Sequence, residues 1–385
     1  MATGAQLVAQ PGIGSVGTPL PQTATPPKGT GPFIRYARTA LRPGFTRAGD
    51  PFGATVTNQL PSAPGYLKGL WLTVTCVAGT ATTTTAAADA PYSVIQFLQF
   101  KDPWGTPIVT VDGWALSQII NPYSGQAGLL GAALPSALPS FTAVSATTGA
   151  FQFKVYVPCE GTRGLGVIST GNASVLPTLF IQYAAAVPVV YSAQSGGTAG
   201  TLSLTCDMEY YDVDPTNPVQ PPQNGTTLQW SVAQGDQNVA ANASTRVKLP
   251  HLGGYLTTLG LLLRDTSATN ARVDAYNLTG RIRIYIDGVP QRDMTFVELV
   301  DEMFIVSGGV TRQTGLLVLS FKRSLSQLNL GLLDTLEEAL QCTPGTQLEV
   351  EMTPWGSGGT SPYQLSVYYG QFVPAGDLQQ GLIEA

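Results

Sequence analysis

The sequence predicts an all-β protein built from two tandem β units. Three observations carry this. A stretch of the first half, Gln59-Leu60-Pro61 through Gly65-Tyr66-Leu67 to Leu70-Trp71-Leu72-Thr73-Val74, returns in the second half as Lys248-Leu249-Pro250 through Gly254-Tyr255-Leu256 to Leu259-Gly260-Leu261-Leu262-Leu263. Leu60 to Leu249, Tyr66 to Tyr255 and Leu72 to Leu261 are each 189 residues apart, so the chain reads as a duplication. Its 385 residues include 43 Gly and 29 Pro with long Thr, Ser and Ala runs, a composition poor for helices and suited to short strands joined by turns. Turn signals between apolar runs recur at the spacing of a β-sandwich.

The repeated stretch predicts a loop entering a long strand, with Leu70, Leu72, Val74 and Cys76 on one face and Trp71, Thr73 and Thr75 on the other. In the first unit further strands are expected at Val94–Phe100 and Ile108–Val111 around the turn Asp102-Pro103-Trp104-Gly105, at Phe151–Val157, at Leu176–Tyr183 and at Leu202–Tyr211. A short helix is expected at Gly113–Ile120, and an excursion rich in small residues fills Asn121–Ala150. Pro215, Pro218, Pro221 and Pro222 mark a linker where the duplication needs a seam. The second unit repeats the order, with strands at Gly280–Ile286, Leu316–Phe321, Gln347–Met352 and Gln364–Tyr369 and a helical stretch at Phe296–Val300. Asp102/Pro107 correspond to Asp287/Pro290, and Tyr210-Tyr211 to Tyr368-Tyr369, through gaps. Leu332–Leu340, entered by Asp334, has the strongest helical pattern. The resulting division is an N-terminal arm (1–43), a first unit (44–214), a linker (215–224), a second unit (225–374) and a tail (375–385).

The arm is basic. No acidic residue precedes Asp50, whereas Lys28, Arg35, Arg38, Arg42 and Arg47 are all cationic. Arg35, Arg38 and Arg42 are spaced to share one face of a short helix, with Ile34, Ala37 and Leu41 on another, a pattern that suits an anionic lipid surface or a neighbouring subunit as well as a solvated face.

Charged residues are only 11% of the chain, against about a quarter in an ordinary soluble monomer. The shortfall points to surface buried between subunits. Hydrophobic residues at 43% and a net charge of -5 argue against disorder. No apolar run reaches the about 20 residues of a transmembrane helix. The N-terminus has no basic start leading into an apolar core, so no signal peptide is expected. Cys76, Cys159, Cys206 and Cys342 lack metal-ligand spacing and are expected as free, buried thiols.

Catalytic chemistry finds little to work with. His251, the only histidine, sits in a loop with no nucleophile elbow nearby, and no catalytic, cofactor or metal residue is assigned. Asp207, Glu209, Asp212 and Asp214 form the densest acidic cluster; strand-end acids pairing with arginine or facing solvent are weighed there against a structural ion. From residue 50 onward 14 basic residues face all 24 acidic ones, which opposes specific nucleic-acid binding.

Two β units with long sequence between their middle strands, a late helix and a basic arm in front resemble the double jelly-roll major capsid proteins of tectiviruses, adenovirus and the large icosahedral DNA viruses. The resemblance covers residues 44–374 and is architectural. It implies two eight-stranded jelly-roll barrels with a few short helices and an extended N-terminal arm. It also implies a homotrimer with a pseudo-hexagonal footprint, found in a virion capsid assembled in the host cytoplasm. The further partners would be minor capsid and vertex proteins and an internal lipid membrane, with Lys28, Arg35, Arg38, Arg42 and Arg47 at the inner face. No tower insertions are present beyond the 121–150 excursion and the Ser192–Gly200 loop. A secreted two-domain β-sandwich that binds or processes glycans is the second reading.

Overall fold

The computed structural model describes residues 37–123, 141–161, 164–170, 175–213, 227–232, 237–249, 254–266, 271–276, 280–306, 312–321, 339–342, 345–354 and 362–373. The first unit contains β1 (Ala37–Asp50), β2 (Thr55–Gln59), β3 (Tyr66–Cys76), β4 (Thr83–Ala86), β5 (Ile95–Lys101), β6 (Pro107–Val111), β7 (Phe151–Pro158), β8 (Ile168–Ser169), β9 (Thr178–Tyr183), β10 (Tyr191–Ser195) and β11 (Leu202–Val213). The second contains β12 (Thr227–Val232), β13 (Gln237–Val239), β14 (Thr245–Leu249), β15 (Gly254–Arg264), β16 (Arg281–Ile286), β17 (Val289–Thr295), β18 (Leu316–Ser320), β19 (Leu340–Cys342), β20 (Leu348–Met352) and β21 (Tyr363–Val373). Helical turns at α1 (Gly113–Ala115), a π-helical segment (Leu116–Ile120) and α2 (Asn121–Tyr123) follow one another after β6, and α3 (Phe296–Val306) follows β17.

The two units have the same strand order. One four-stranded layer runs β1-β11-β3-β7 in the first unit and β12-β21-β15-β18 in the second; the other runs β2-β9-β5-β6 and β14-β20-β16-β17. The inward faces of all four layers, including Leu70, Leu72, Val74 and Cys76 as the alternation predicts, join one apolar core. Each unit is thus a two-layer sandwich of eight principal strands, and the duplication seen in the sequence is a duplication of folds.

Backbone detail repeats as well. Gly65 and Gly254, 189 residues apart, have φ of +106° and +107°, and a Cβ on either would collide with a carbonyl oxygen, that of Tyr211 or that of Phe372. Only glycine satisfies both demands at the entry to the long strand. Three residues later each long strand bulges. Lys68 is the extra residue between the pairs Leu67/Tyr210 and Gly69/Glu209, and Thr257 the extra residue between Leu256/Gln371 and Thr258/Gly370. Each freed carbonyl accepts from the residue just past the neighbouring strand: that of Lys68 from the N–H of Cys159, and of Glu160 as well, that of Thr257 from Phe321.

This register corrects the expected tyrosine correspondence. Tyr66 pairs with Tyr211 and Tyr255 with Phe372, so the counterpart of Tyr210-Tyr211 is Gln371-Phe372, three residues beyond Tyr368-Tyr369. The β5/β6 turn at Asp102 and the β16/β17 turn at Asp287 do occupy the same place in the two units, as expected.

The expected helix over the basic segment is a second correction. Ala37–Asp50 is strand β1, paired antiparallel with β11 from Ala37/Val213 to Asp50/Leu202, so the first unit begins before residue 44. Without β1 the outer backbone groups of the long β11 strand would lack partners, and Pro43 and Gly44 disfavour a helix through the same residues. The expected helices at Gly113–Ile120 and Phe296–Val300 are present. The latter starts with a capping box: the Thr295 N–H donates to Glu298 Oε2 at 2.7 Å and the Glu298 N–H to Thr295 Oγ1 at 3.3 Å. Most of the predicted Leu332–Leu340 helix lies outside the described residues, but its last residue, Leu340, begins β19 beside Leu256. The Ser192–Gly200 segment is partly strand: β10 pairs with β4 in a two-stranded extension of the first barrel. The linker at 215–224, the tail at 375–385, His251 and Asp214 lie outside the described residues.

Candidate functional site

The two barrels meet at one strand seam. The seam is built on β6 and β12, which pair in parallel through Val109/Trp230 and Thr110/Ser231 and fuse the two inner layers into one ten-stranded sheet. Trp230 is 1% exposed; its ring lies over Gly370, where an added Cβ would sit 2.7 Å from the indole.

Helix and loop side chains lock the seam. Asp112 caps α1 by accepting from the Ala115 N–H at 2.8 Å and also accepts from the Tyr368 hydroxyl of the second barrel at 3.0 Å. Burial pushes the Asp112 carboxyl above its ordinary range, against the pull of these two hydrogen bonds and of Arg264. Asp89 of the first barrel receives two arginines of the second, Arg264 at 2.8 Å and Arg272 at 2.7 Å, and both guanidinium groups lie over the Trp114 ring at 5.9 and 5.0 Å. Ile119 packs on Gly260. Removing Asp89 takes from two largely buried cations the carboxylate they share. We expect Asp89→Ala to destabilise the protein by about 2–3 kcal/mol, allowing for residual exposure, read as a lower urea midpoint; an unchanged midpoint would show the clamp to be idle.

A second polar cluster lies under the outer face of the first barrel. Lys68, held on the bulge, is buried with its Nζ 2.9 Å from Glu209 and 3.8 Å from Glu160. Glu160 also accepts from the Tyr211 hydroxyl at 2.8 Å and from the Gly164 N–H. The Tyr156 ring covers Gly69, and the edge of β7 beside it is closed by Asn121, whose side-chain amide bonds both the N–H and the carbonyl of Tyr156. In the second barrel the bulge carries Thr257, whose hydroxyl donates to the Gly370 carbonyl at 3.0 Å, so this charge cluster belongs to one barrel only.

The residues singled out in the sequence distribute as follows. Arg42 pairs with Asp212 and lies 5.3 Å above the Tyr210 ring, and Arg47 pairs with Asp50 at 2.7 Å. Arg38 is exposed on β1, and Lys28 and Arg35 lie outside the described residues. The acidic cluster is divided by strand alternation: Glu209 turns in to Lys68 while Asp212 turns to Arg42 on the opposite face. Among the described residues no group of three metal-ligating side chains converges, and no helix is long and apolar enough to cross a membrane. All four cysteines are free and buried. Burial raises the Cys206 thiol to about 12 and the Cys342 thiol to about 11, values that suit inert core residues.

No protein-family profile and no curated protein matches the sequence. Solved structures do match its fold. The major capsid protein of Sulfolobus turreted icosahedral virus superposes with a TM-score of 0.61 at 15% identity, over 89% of this chain and 98% of that one. The PBCV-1 virus capsid protein gives 0.56 at 14% identity over 88% and 94%, and the major capsid protein of bacteriophage PM2 gives 0.51 at 10% over 88% and 99%. Identical strand order in two barrels, a shared bulge and these likenesses lead to one statement: the chain has the double jelly-roll fold.

Proposed function

We propose that the protein is the major capsid subunit of an icosahedral virus, working as a homotrimer whose six barrels make a pseudo-hexagonal tile, with no catalytic role. The observation that carries this reading is the repetition of one strand order in two fused barrels, which gives each chain two similar edges for a threefold assembly. The fold's presence in viral capsid proteins from several sources supports it. The low charged fraction fits a surface spent on sister subunits.

The basic N-terminal segment faces the interior of the particle in this reading, and an internal membrane and minor capsid or vertex proteins are its remaining partners. Because Arg42 and Arg47 are engaged within the barrel, the inner contact rests on Lys28, Arg35 and Arg38.

Light scattering on the purified chain tests the oligomer: a stable species of about three times 40.3 kDa is expected, and a monomer at micromolar concentration would refute it. Deletion of residues 1–36, which spares β1, should leave that trimer intact and impair shell or membrane assembly. Normal particles from the truncated chain would remove the segment's proposed role.

A further inference from the structure

Nine large apolar side chains are exposed among the described residues, and the internal symmetry accounts for two of them. The register places Glu209 and Gly370 at equivalent positions, since their partners Gly69 and Thr258 are 189 residues apart. On their other side Glu209 meets Leu41 of β1 and Gly370 meets Trp230 of β12, so Leu41 is the counterpart of Trp230 and Arg42 that of Ser231. Trp230 is 1% exposed and Leu41 65%.

The opposite edge gives the same contrast. Asn58 and Val247 are equivalent, their partners are Leu179 and Val350, and the next partners are Phe100 and Ile284. Phe100 meets Val109 and Ile284 meets Arg292; likewise Gln99 meets Thr110 and Arg283 meets Asp293. β17 is therefore the counterpart of β6, and its helix α3 that of α1, the caps Thr295 and Asp112 each lying three residues after the equivalent Arg292 and Val109. Trp114, 4% exposed under the arginines of the second barrel, corresponds to Val297, 51% exposed.

In both cases the residue at the intramolecular seam is buried and its twin is bare. Resting on the trimer reading above, we propose that β17 of one copy pairs in parallel with β1 of a second copy, repeating between chains the β6·β12 seam within the chain. The register transfers directly. Val109/Trp230 becomes Arg292 of one copy beside Leu41 of the next, and Thr110/Ser231 becomes Asp293 beside Arg42, opposite charges that each keep an ion pair within their own chain, Asp293 with Arg281 and Arg42 with Asp212. Each of these strands has a single hydrogen-bonded neighbour among the described residues, and its other edge meets no strand among them. A 14-residue edge of this kind is a hazard unless something covers it. Alternating seams within and between chains close a ring of six barrels from three chains.

Cysteine pairing tests the register. Parallel neighbours lie about 4.8 Å apart, inside the ~4.4–6.8 Å span a disulfide bridges. The double variant Leu41→Cys/Arg292→Cys, oxidised in the assembled state, should give covalent dimers and trimers on a non-reducing gel. Each single variant, and the off-register pair Leu41→Cys/Thr295→Cys about 10 Å away, should not. Independently, Leu41→Asp should weaken self-association at least tenfold by light scattering. A trimer that stays unlinked, links equally off register, or tolerates Leu41→Asp overturns this pairing and leaves the capsid reading standing. A wild-type monomer overturns both.

Discussion

Lys68→Met is expected to destabilise the first barrel by about 3–5 kcal/mol, one of the two largest single-residue effects in the chain. The lysine is buried on the β3 bulge between two buried carboxylates, Glu209 and Glu160, and methionine fills its volume while removing the one cation paired with them among the described residues. What remains is a pair of carboxylates in low dielectric without the lysine charge that faced both of them. The equivalent Thr257→Val, which removes one hydroxyl bonded to the Gly370 carbonyl, should cost only about 1 kcal/mol. Urea unfolding of the two variants gives the comparison; equal effects would mean that the Lys68 cluster contributes no more than a neutral hydrogen bond.

The same cluster sets a pH dependence. Burial raises the Glu160 carboxyl above its ordinary value, against the Gly164 N–H, Lys68 and the Tyr211 hydroxyl, with the Glu209 carboxylate adding to the rise. The folded chain then holds this proton more tightly than the unfolded chain. Its contribution to stability is fully present below the ordinary carboxylate value and is lost as pH rises through the raised one. Glu160→Gln, which keeps an oxygen for Tyr211 and Gly164, should flatten this part of the profile, and Lys68→Met should extend it to higher pH. A wild-type and Glu160→Gln difference that does not vary across weakly acidic pH would contradict the assignment.

What could be read in the sequence follows from where information is local. The first long strand was legible because alternation puts Leu70, Leu72 and Val74 on one face and Trp71, Thr73 and Thr75 on the other, and the second because it repeats the first, with Gly65 and Gly254 marking a backbone geometry that only glycine allows. β1 was misread as helix because Arg38 and Arg42, four apart, share a face at either period, and the tie is broken by the edge of β11, more than 150 residues away. β4 and β10 sit in runs of Thr, Ala and Ser without alternation, and they form because each supplies the other's hydrogen bonds.

The polar clusters were the least legible part. Glu209 reads as a solvent-facing acid until the bulge turns Lys68 toward it, and a bulge leaves no mark in composition. A charged residue inside a repeated strand, opposite threonine in the other copy, was the available signal. Asp89, Arg264 and Arg272 lie in three separate loops or strand ends, brought together only by the docking of one barrel on the other.

Trp230→Ala is the other large effect expected, about 3–5 kcal/mol. The indole fills the seam above Gly370, which has no side chain to move into the space, and the parallel β6·β12 ladder on either side holds the backbone apart. The cavity therefore stays open. Because the loss falls at the junction rather than inside one barrel, it should also weaken the coupling of the two, so that a single unfolding transition separates into two. Trp230→Phe isolates the ring from its N–H: the indole nitrogen is buried and meets no hydrogen-bond partner among the described residues, so phenylalanine gives up volume without breaking a hydrogen bond seen there, and a cost below about 1.5 kcal/mol is expected. If alanine and phenylalanine behave alike, or if alanine leaves the transition single and unshifted, Trp230 does not hold the seam, and the contrast with its exposed twin Leu41 loses its meaning as a guide to how chains meet.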